Sequence, residues 1–123
     1  MLIKPSILYI DDEAINLMLF SNIFKRKYDI QTATSGMQGF EILQQNNQIN
    51  VVICDMKMPG MDGLSFIRKA RQVYPQVHFF ILTGFEISEE IETAIKEGVI
   101  LDYFQKPFNM ESIDQTILNR LNP

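Results

Sequence analysis

Residues 51–63 read VVICDMKMPGMDG, a short β-rich apolar run that ends in an aspartate and continues through a Pro-Gly loop to a second aspartate. A continuous apolar run, rather than an alternating one, is typical of a strand buried on both faces of a parallel sheet. Asp62 has the residue type of a helix N-cap, and Asp62–Tyr74 has a helical pattern. The stretch therefore predicts a strand followed by a helix.

The same strand-helix unit recurs along the chain. Strands are predicted at Ser6–Ile10, Val51–Cys54 and His78–Leu82, with weaker ones nearer the sheet edges at Ile30–Thr34 and Leu101–Gln105. Helical patterns lie between them, at Ala14–Lys27, Ser35–Asn46, Asp62–Tyr74, Ile87–Ile95 and Met110–Leu121. Five units leave roughly 25 residues each, enough for a strand, a helix and two short loops. We predict one α/β domain over residues 1–123, a three-layer (βα)5 sandwich with a five-stranded parallel sheet.

Composition excludes several classes of function. The 123 residues are 46% hydrophobic and carry a net charge of −4, which argues against a sequence-independent grip on nucleic acid. No apolar run approaches the ~18 residues of a membrane span. The start has no secretory signal pattern, and the single Cys54 fits a reducing compartment. We expect a cytoplasmic chain that contacts neither nucleic acid nor membrane.

Polar side chains follow four of the predicted strands. Asp11 and Asp12 follow the first strand, Asp55 the third, Thr83 the fourth and Lys106 the fifth. Each alone is ordinary, since an aspartate after a strand is usually a turn former or a cap. Ligands of parallel sheets, however, bind beyond the carboxyl ends of the strands. The joint placement predicts one functional surface.

The residue types limit the chemistry of that surface. Carboxylates packed closely raise one another's pKa unless a cation intervenes. Mg²⁺ prefers oxygen ligands, so Asp11, Asp12 and Asp55 are predicted to bind it. A carboxylate held there can be the nucleophile that forms an acyl phosphate. Lys106 and Thr83 could then contact the phosphoryl oxygens.

These motifs together identify a family resemblance. Asp11-Asp12, Asp55-Met-Lys-Met-Pro-Gly-Met-Asp-Gly63, Thr83-Gly84 and Lys106-Pro-Phe108 resemble the CheY-like receiver domain of two-component response regulators, over essentially the whole chain. The resemblance implies the strand order 2-1-3-4-5 of flavodoxin-like and CheY-like folds. It also implies a signalling protein that is not an enzyme beyond its own phosphotransfer and slow autodephosphorylation.

The resemblance assigns roles to individual residues. It makes Asp55 the phosphoacceptor and places Mg²⁺ on Asp12, Asp55 and the backbone carbonyl of Lys57, with Asp11 acting mainly through water. Thr83 and Lys106 would contact the phosphoryl group.

Three further expectations also come from the resemblance. Tyr103, with Thr83, would form the switch. The Lys106–Pro107 bond is expected to be cis. Lys57 and a shielding Phe85 predict slow loss of the phosphoryl group.

The resemblance also implies partners. The phosphoryl donor would be a phosphohistidine of a sensor histidine kinase or a phosphotransfer protein, with specificity on the first helix around Ile15–Phe24. The fourth helix, fifth strand and fifth helix would be the switched surface and a candidate homodimer contact.

The sequence disfavours several rival functions. A P-loop or Rossmann glycine pattern is absent, and Asp-Asp-Glu after the first strand disfavours an FMN phosphate. A haloacid-dehalogenase-like phosphatase would need an Asp-x-Asp nucleophile motif after the first strand. The remaining alternative is a degenerate receiver that acts only as a protein-interaction module.

Overall fold

Strands and helices alternate along the chain. The computed structural model describes residues 4–84, 87–107 and 109–121, so the predicted motif residues Phe85 and Phe108 lie outside the described residues. The strands are β1 (Ser6–Ile10), β2 (Asp29–Ala33), β3 (Val51–Asp55), β4 (His78–Thr83) and β5 (Asp102–Gln105). The helices are α1 (Ala14–Phe24), α2 (Gly36–Gln45), α3 (Gly63–Val73), α4 (Glu89–Lys96) and α5 (Met110–Leu121). No helix within the described ranges has the length and apolar character needed to cross a bilayer.

The strands form one parallel sheet in the order β2-β1-β3-β4-β5. This confirms the predicted fold class and strand order. It also confirms that the two weaker strand patterns lie at the edges. The order reverses between β1 and β3, which is where ligands of open parallel sheets bind.

Two apolar layers enclose the sheet. All five residues of β1 and all five of β3 are buried, as the continuous apolar runs predict. Along β1 the side chains alternate, with Ile7 and Tyr9 facing one layer and Leu8 and Ile10 the other. Helices α1 and α5 cover the first face, while α2, α3 and α4 cover the second. Each fully buried large apolar side chain stabilises this arrangement by about 1.5–3 kcal/mol.

Most predicted helix ends are confirmed. The side chains of Ser35, Asp62 and Asn109 each accept a hydrogen bond from a backbone N–H three residues later, as N-caps do. Gly98 follows α4 with φ of +75°, a conformation that favours glycine.

One predicted helix end is wrong. The pattern extended the first helix to Lys27, but α1 ends at Phe24. The N–H groups of Lys27 and Tyr28 both donate to the Phe24 carbonyl, so the chain turns there. This turn places the Tyr28 ring in the core, at 2% exposure, and brings Lys27 to Asp114 of α5. Burial of the Tyr28 ring is thus favoured over an extension of α1 by three more residues.

Candidate functional site

The register of the sheet brings the predicted polar residues together. Ile10 of β1 lies beside Cys54 of β3, so Asp11 is level with Asp55. Asp55 in turn lies beside Leu82, one residue before Thr83. The backbone N–H of Lys106 donates to the Thr83 carbonyl at 2.8 Å, which fixes the start of the β5–α5 loop. Four strand ends therefore meet at one edge of the sheet.

Lys106 bridges two of the carboxylates. Its Nζ lies 3.2 Å from Asp11 Oδ2 and 3.4 Å from Asp55 Oδ1. Asp12, which is exposed, completes the group, because one oxygen from each of Asp11, Asp12 and Asp55 lies within 4.8 Å of the others. The structure thus assembles the predicted metal-ligating carboxylates and the predicted cation, from positions up to 95 residues apart.

An open cleft gives access to this group. The cleft has a volume of about 360 Å³ and is lined by Glu13, Asp55, Lys57, Thr83, Gly84 and Lys106. Asp55 and Thr83 are themselves only 5% and 2% exposed. A ligand that enters can therefore reach Asp55 while solvent contact with that carboxylate stays small.

The electrostatics of the site reflect an excess of carboxylates. Burial, together with the charge of Asp11, raises the pKa of Asp55 from 3.8 to about 6, although Lys106 opposes the shift. Burial lowers the pKa of Lys106, but Asp55 and Asp11 outweigh it and raise that pKa above 10.5. Lys106 is consequently charged at neutral pH, and its single charge faces two carboxylates, Asp11 and Asp55, with Asp12 beside them.

The donor set fits Mg²⁺. Carboxylate oxygens from three residues, two of them buried, are hard ligands of the kind that this ion prefers. A divalent cation there would offset both causes of the raised pKa of Asp55, the burial of its charge and the repulsion from Asp11. Asp11, Asp12 and Asp55 are thus the residues that could hold the ion.

The sequence patterns did not indicate the groups that hold Asp11. The Tyr9 hydroxyl donates to Asp11 Oδ2 at 2.6 Å, and Asn16 Nδ2 donates to the same oxygen at 3.2 Å. The Glu13 N–H donates to Oδ1 at 3.0 Å. Burial and the bond to Asp11 raise the pKa of Tyr9, so its hydroxyl keeps its proton and donates. The signal was present: residues two apart on a strand share a face, and a buried tyrosine hydroxyl needs a partner.

Gly63 allows α3 to begin directly beneath Asp55. A Cβ at this position would lie 2.4 Å from the Asp55 carbonyl oxygen and 2.9 Å from Ile81 Cδ1. The Gly63 N–H also donates to the Met56 carbonyl at 2.8 Å. The last glycine of the 51–63 stretch is therefore a packing requirement of the site.

The other predicted residues lie around this centre. The Lys106–Pro107 peptide bond is cis. Lys57 is exposed and lines the cleft. Tyr103 is half-buried in β5 beside Ile81, two residues before Thr83 on the neighbouring strand. It also lines a second cleft, between β5 and α5.

Known proteins resemble the chain in both sequence and fold. The hydrogenase transcriptional regulatory protein HoxA of Cupriavidus necator is 24% identical over 114 residues, which cover 93% of this chain but only 23% of that protein. The chain thus spans about a quarter of that relative's length. Sporulation initiation phosphotransferase F of Bacillus subtilis is 26% identical over 117 residues, 94% of this chain and 93% of that protein.

Solved structures and a family model lead to the same family. A response regulator receiver domain protein from Clostridium thermocellum superposes with a TM-score of 0.88 at 33% identity, covering 96% of this chain and 94% of that one. The family model described as the response regulator receiver domain matches residues 7–118. The chain belongs to the response regulator receiver domain family of two-component systems.

Proposed function

We propose that this receiver domain accepts a phosphoryl group on Asp55 from a phosphohistidine of a sensor histidine kinase or a phosphotransfer protein. The observation that carries the proposal is the contact of Lys106 Nζ with Asp55 Oδ1, at 3.4 Å, inside a group of three carboxylates. The likeness to a protein named a phosphotransferase supports the same reaction class.

The reaction forms one bond and breaks another. A carboxylate oxygen of Asp55 attacks the phosphorus, the P–N bond to the donor imidazole breaks, and its electron pair stays on the imidazole nitrogen. Lys106, charged and already beside Asp55, stabilises the charge of the transferring oxygens. Thr83, which is buried and lines the cleft, would donate to one of them. Water later hydrolyses the acyl phosphate. We propose that Lys57, which lines the cleft, contributes to slow loss of the phosphoryl group.

Mg²⁺ would be held by Asp12 and Asp55, by Asp11 largely through water, and by the backbone carbonyl of Lys57. The ion, when bound, offsets the negative charge of the carboxylates and of the phosphoryl oxygens. The residues that line the cleft would orient the acceptor oxygen of Asp55 and limit the access of water to it.

The proposed readout lies on the β5 side of the sheet. Attraction of Thr83 to the new phosphoryl oxygens would open space for Tyr103 on the adjacent strand. The face formed by α4, β5 and α5, which includes the edge strand, is the proposed partner and homodimer surface. Light scattering before and after phosphorylation tests the dimer.

The proposed donor surface is α1. This helix exposes four large apolar residues close in sequence to Asp11: Ile15, Met18, Leu19 and Ile23. Leu19 and Asn16 line a cleft together with Lys106 and Pro107, so this face adjoins the phosphorylation site. The free, buried Cys54 supports the proposed cytoplasmic location.

The central test uses two phosphodonors. Wild type and Asp55→Asn are incubated with Mg²⁺ and either acetyl phosphate or a phosphorylated histidine kinase, and incorporation is followed by mass spectrometry. We expect one phosphoryl group on the wild type, none on Asp55→Asn and none with EDTA. Met18→Glu should slow transfer from the kinase but not from acetyl phosphate, while Val73→Glu, equally exposed but on α3, should change neither.

The test also separates the alternative. A wild type that folds but takes up no phosphoryl group from either donor would contradict the proposal and favour a receiver that acts only as an interaction module. Incorporation that persists in Asp55→Asn would place the acceptor elsewhere.

A further inference from the structure

We propose that Tyr9, assisted by Asn16, is a positioning residue that holds the Asp11 carboxylate in the orientation needed for Mg²⁺ binding. The inference rests on the proposed Mg²⁺ site and adds to it residues that come from the interior of β1 and from α1.

The hydrogen bonds of Asp11 show how its carboxylate is held. Oδ2 accepts from Tyr9, Asn16 and Lys106, and Oδ1 accepts from the Glu13 N–H. Among the donors to Oδ2, Lys106 also contacts Asp55 and is the one proposed to turn toward the phosphoryl group. Tyr9 and Asn16 donate from neutral groups, so their hold on Asp11 persists while Lys106 changes partner.

The Tyr9 side chain is itself rigidly placed. It is fully buried, and its ring stacks on Phe20 of α1 with a centroid separation of 4.3 Å and an interplanar angle of 18°. Asp11 is also fully buried, two residues further along the same face of the chain. The short hydrogen bond between these two buried side chains fixes the carboxylate. Mutation of a residue that hydrogen-bonds a metal ligand typically weakens metal affinity by ~10–100-fold.

A purely structural role for the hydroxyl is the competing explanation, and the chain contains a matched control. The Tyr28 hydroxyl is also buried and donates to the carboxylate of Asp114, but this pair lies between the α1–β2 turn and α5. Tyr9→Phe and Tyr28→Phe therefore remove the same group from the same kind of bond, and only the first removes it from a proposed metal ligand.

The experiment measures Mg²⁺ binding without any phosphodonor. Isothermal titration calorimetry gives the Mg²⁺ dissociation constant of wild type, Tyr9→Phe, Tyr28→Phe and Asp12→Asn. Thermal unfolding with and without Mg²⁺ gives the increment in stability from the ion, which falls as affinity falls. We expect Tyr9→Phe to bind about tenfold more weakly, with a reduced increment. Tyr28→Phe should match wild type in affinity and in increment.

Each other outcome overturns the inference. Wild-type affinity or tighter binding in Tyr9→Phe would show that its hydroxyl does not position Asp11, and equal weakening in both tyrosine variants would show general loosening. If Tyr9→Phe does not fold, unchanged affinity in Asn16→Ala overturns the inference instead. A wild type that binds no more Mg²⁺ than Asp12→Asn would remove the proposed metal site itself, a result distinct from the failure of Tyr9 alone.

Discussion

Two clusters in this protein contain the same three chemical groups, a buried tyrosine hydroxyl, an aspartate that accepts from it, and a lysine on that aspartate. The strand-end cluster consists of Tyr9, Asp11 and Lys106, together with Asp12 and Asp55. The helix-5 cluster consists of Lys27, Tyr28 and Asp114. A row of aromatic rings joins them, with centroid separations of 4.3, 4.6 and 6.0 Å, through Tyr9, Phe20, Phe24 and Tyr28.

The two clusters differ in their balance of charge. In the helix-5 cluster one lysine faces one aspartate; burial opposes ionisation, but bonds from Lys27 and Tyr28 lower the pKa of Asp114. In the strand-end cluster Lys106 contacts two carboxylates, Asp11 and Asp55, with Asp12 beside them, and the pKa of Asp55 rises to about 6. Balanced groups of this kind hold a structure together. An excess of buried carboxylates lowers stability until a cation binds. This difference distinguishes the candidate functional site from the helix-5 cluster.

Removing the lysine of each cluster should give the largest difference in stability between the two clusters. Lys106→Met leaves the fully buried Asp11 and the nearly buried Asp55 without their shared cation, so we expect metal-free protein to lose about 3 kcal/mol of unfolding free energy. Lys27 is 55% exposed, and Lys27→Met should cost about 0.5 kcal/mol. Urea unfolding in EDTA measures both. Equal losses of unfolding free energy in the two variants would show that the excess of carboxylates in the strand-end cluster does not lower stability.

Removing an aspartate from each cluster should change stability in opposite directions. The folded pKa of Asp55, about 6, exceeds its ordinary 3.8, so the native state binds the proton more tightly than the unfolded state. The Asp55 contribution therefore favours folding at low pH and is lost as pH rises from 3.8 through about 6. In metal-free protein at pH 7, Asp55→Asn should be about 3 kcal/mol more stable than wild type.

Asp114→Asn should do the reverse. A lowered folded pKa means that ionised Asp114 stabilises the protein above its ordinary pKa and stops doing so as pH falls. At pH 7 we expect this variant to be less stable than wild type. Urea titrations from pH 3 to 8 in EDTA check both signs. Destabilisation by Asp55→Asn at pH 7 would contradict the assigned cost of burying the ionised Asp55 carboxylate beside Asp11.

The sequence predicted the strand-end cluster far better than the helix-5 cluster. Asp11, Asp55 and Lys106 follow strands whose apolar runs are evident, and parallel strands bring their carboxyl ends to one edge. The strand order came from family resemblance, since apolar periodicity does not say which strands are neighbours. Whether Asp55 accepts a phosphoryl group remains a prediction.

What the sequence could not predict depends on contacts between distant residues. Tyr28 and Asp114 are 86 residues apart, and no sequence feature of either segment indicates that they contact each other. α1 ends at Phe24, where the turn buries the Tyr28 ring, and so the predicted extension to Lys27 is wrong. The strand pattern of β1 treats Tyr9 as one more apolar residue, because it reflects the ring and not the hydroxyl.

A smaller effect than those of Lys106→Met and Asp55→Asn is expected for the Tyr28 hydroxyl. Tyr28→Phe removes one hydrogen bond but leaves Asp114 paired with Lys27 at 2.5 Å, so we expect a loss of about 1 kcal/mol in the free energy of unfolding. The loss should be the same in EDTA and in saturating Mg²⁺, because this cluster has no excess charge for the ion to offset. Urea unfolding under both conditions provides the measurement. A loss that appears only with Mg²⁺ would mean that the row of aromatic rings couples the two clusters, and the division into a structural and a functional cluster would then fail.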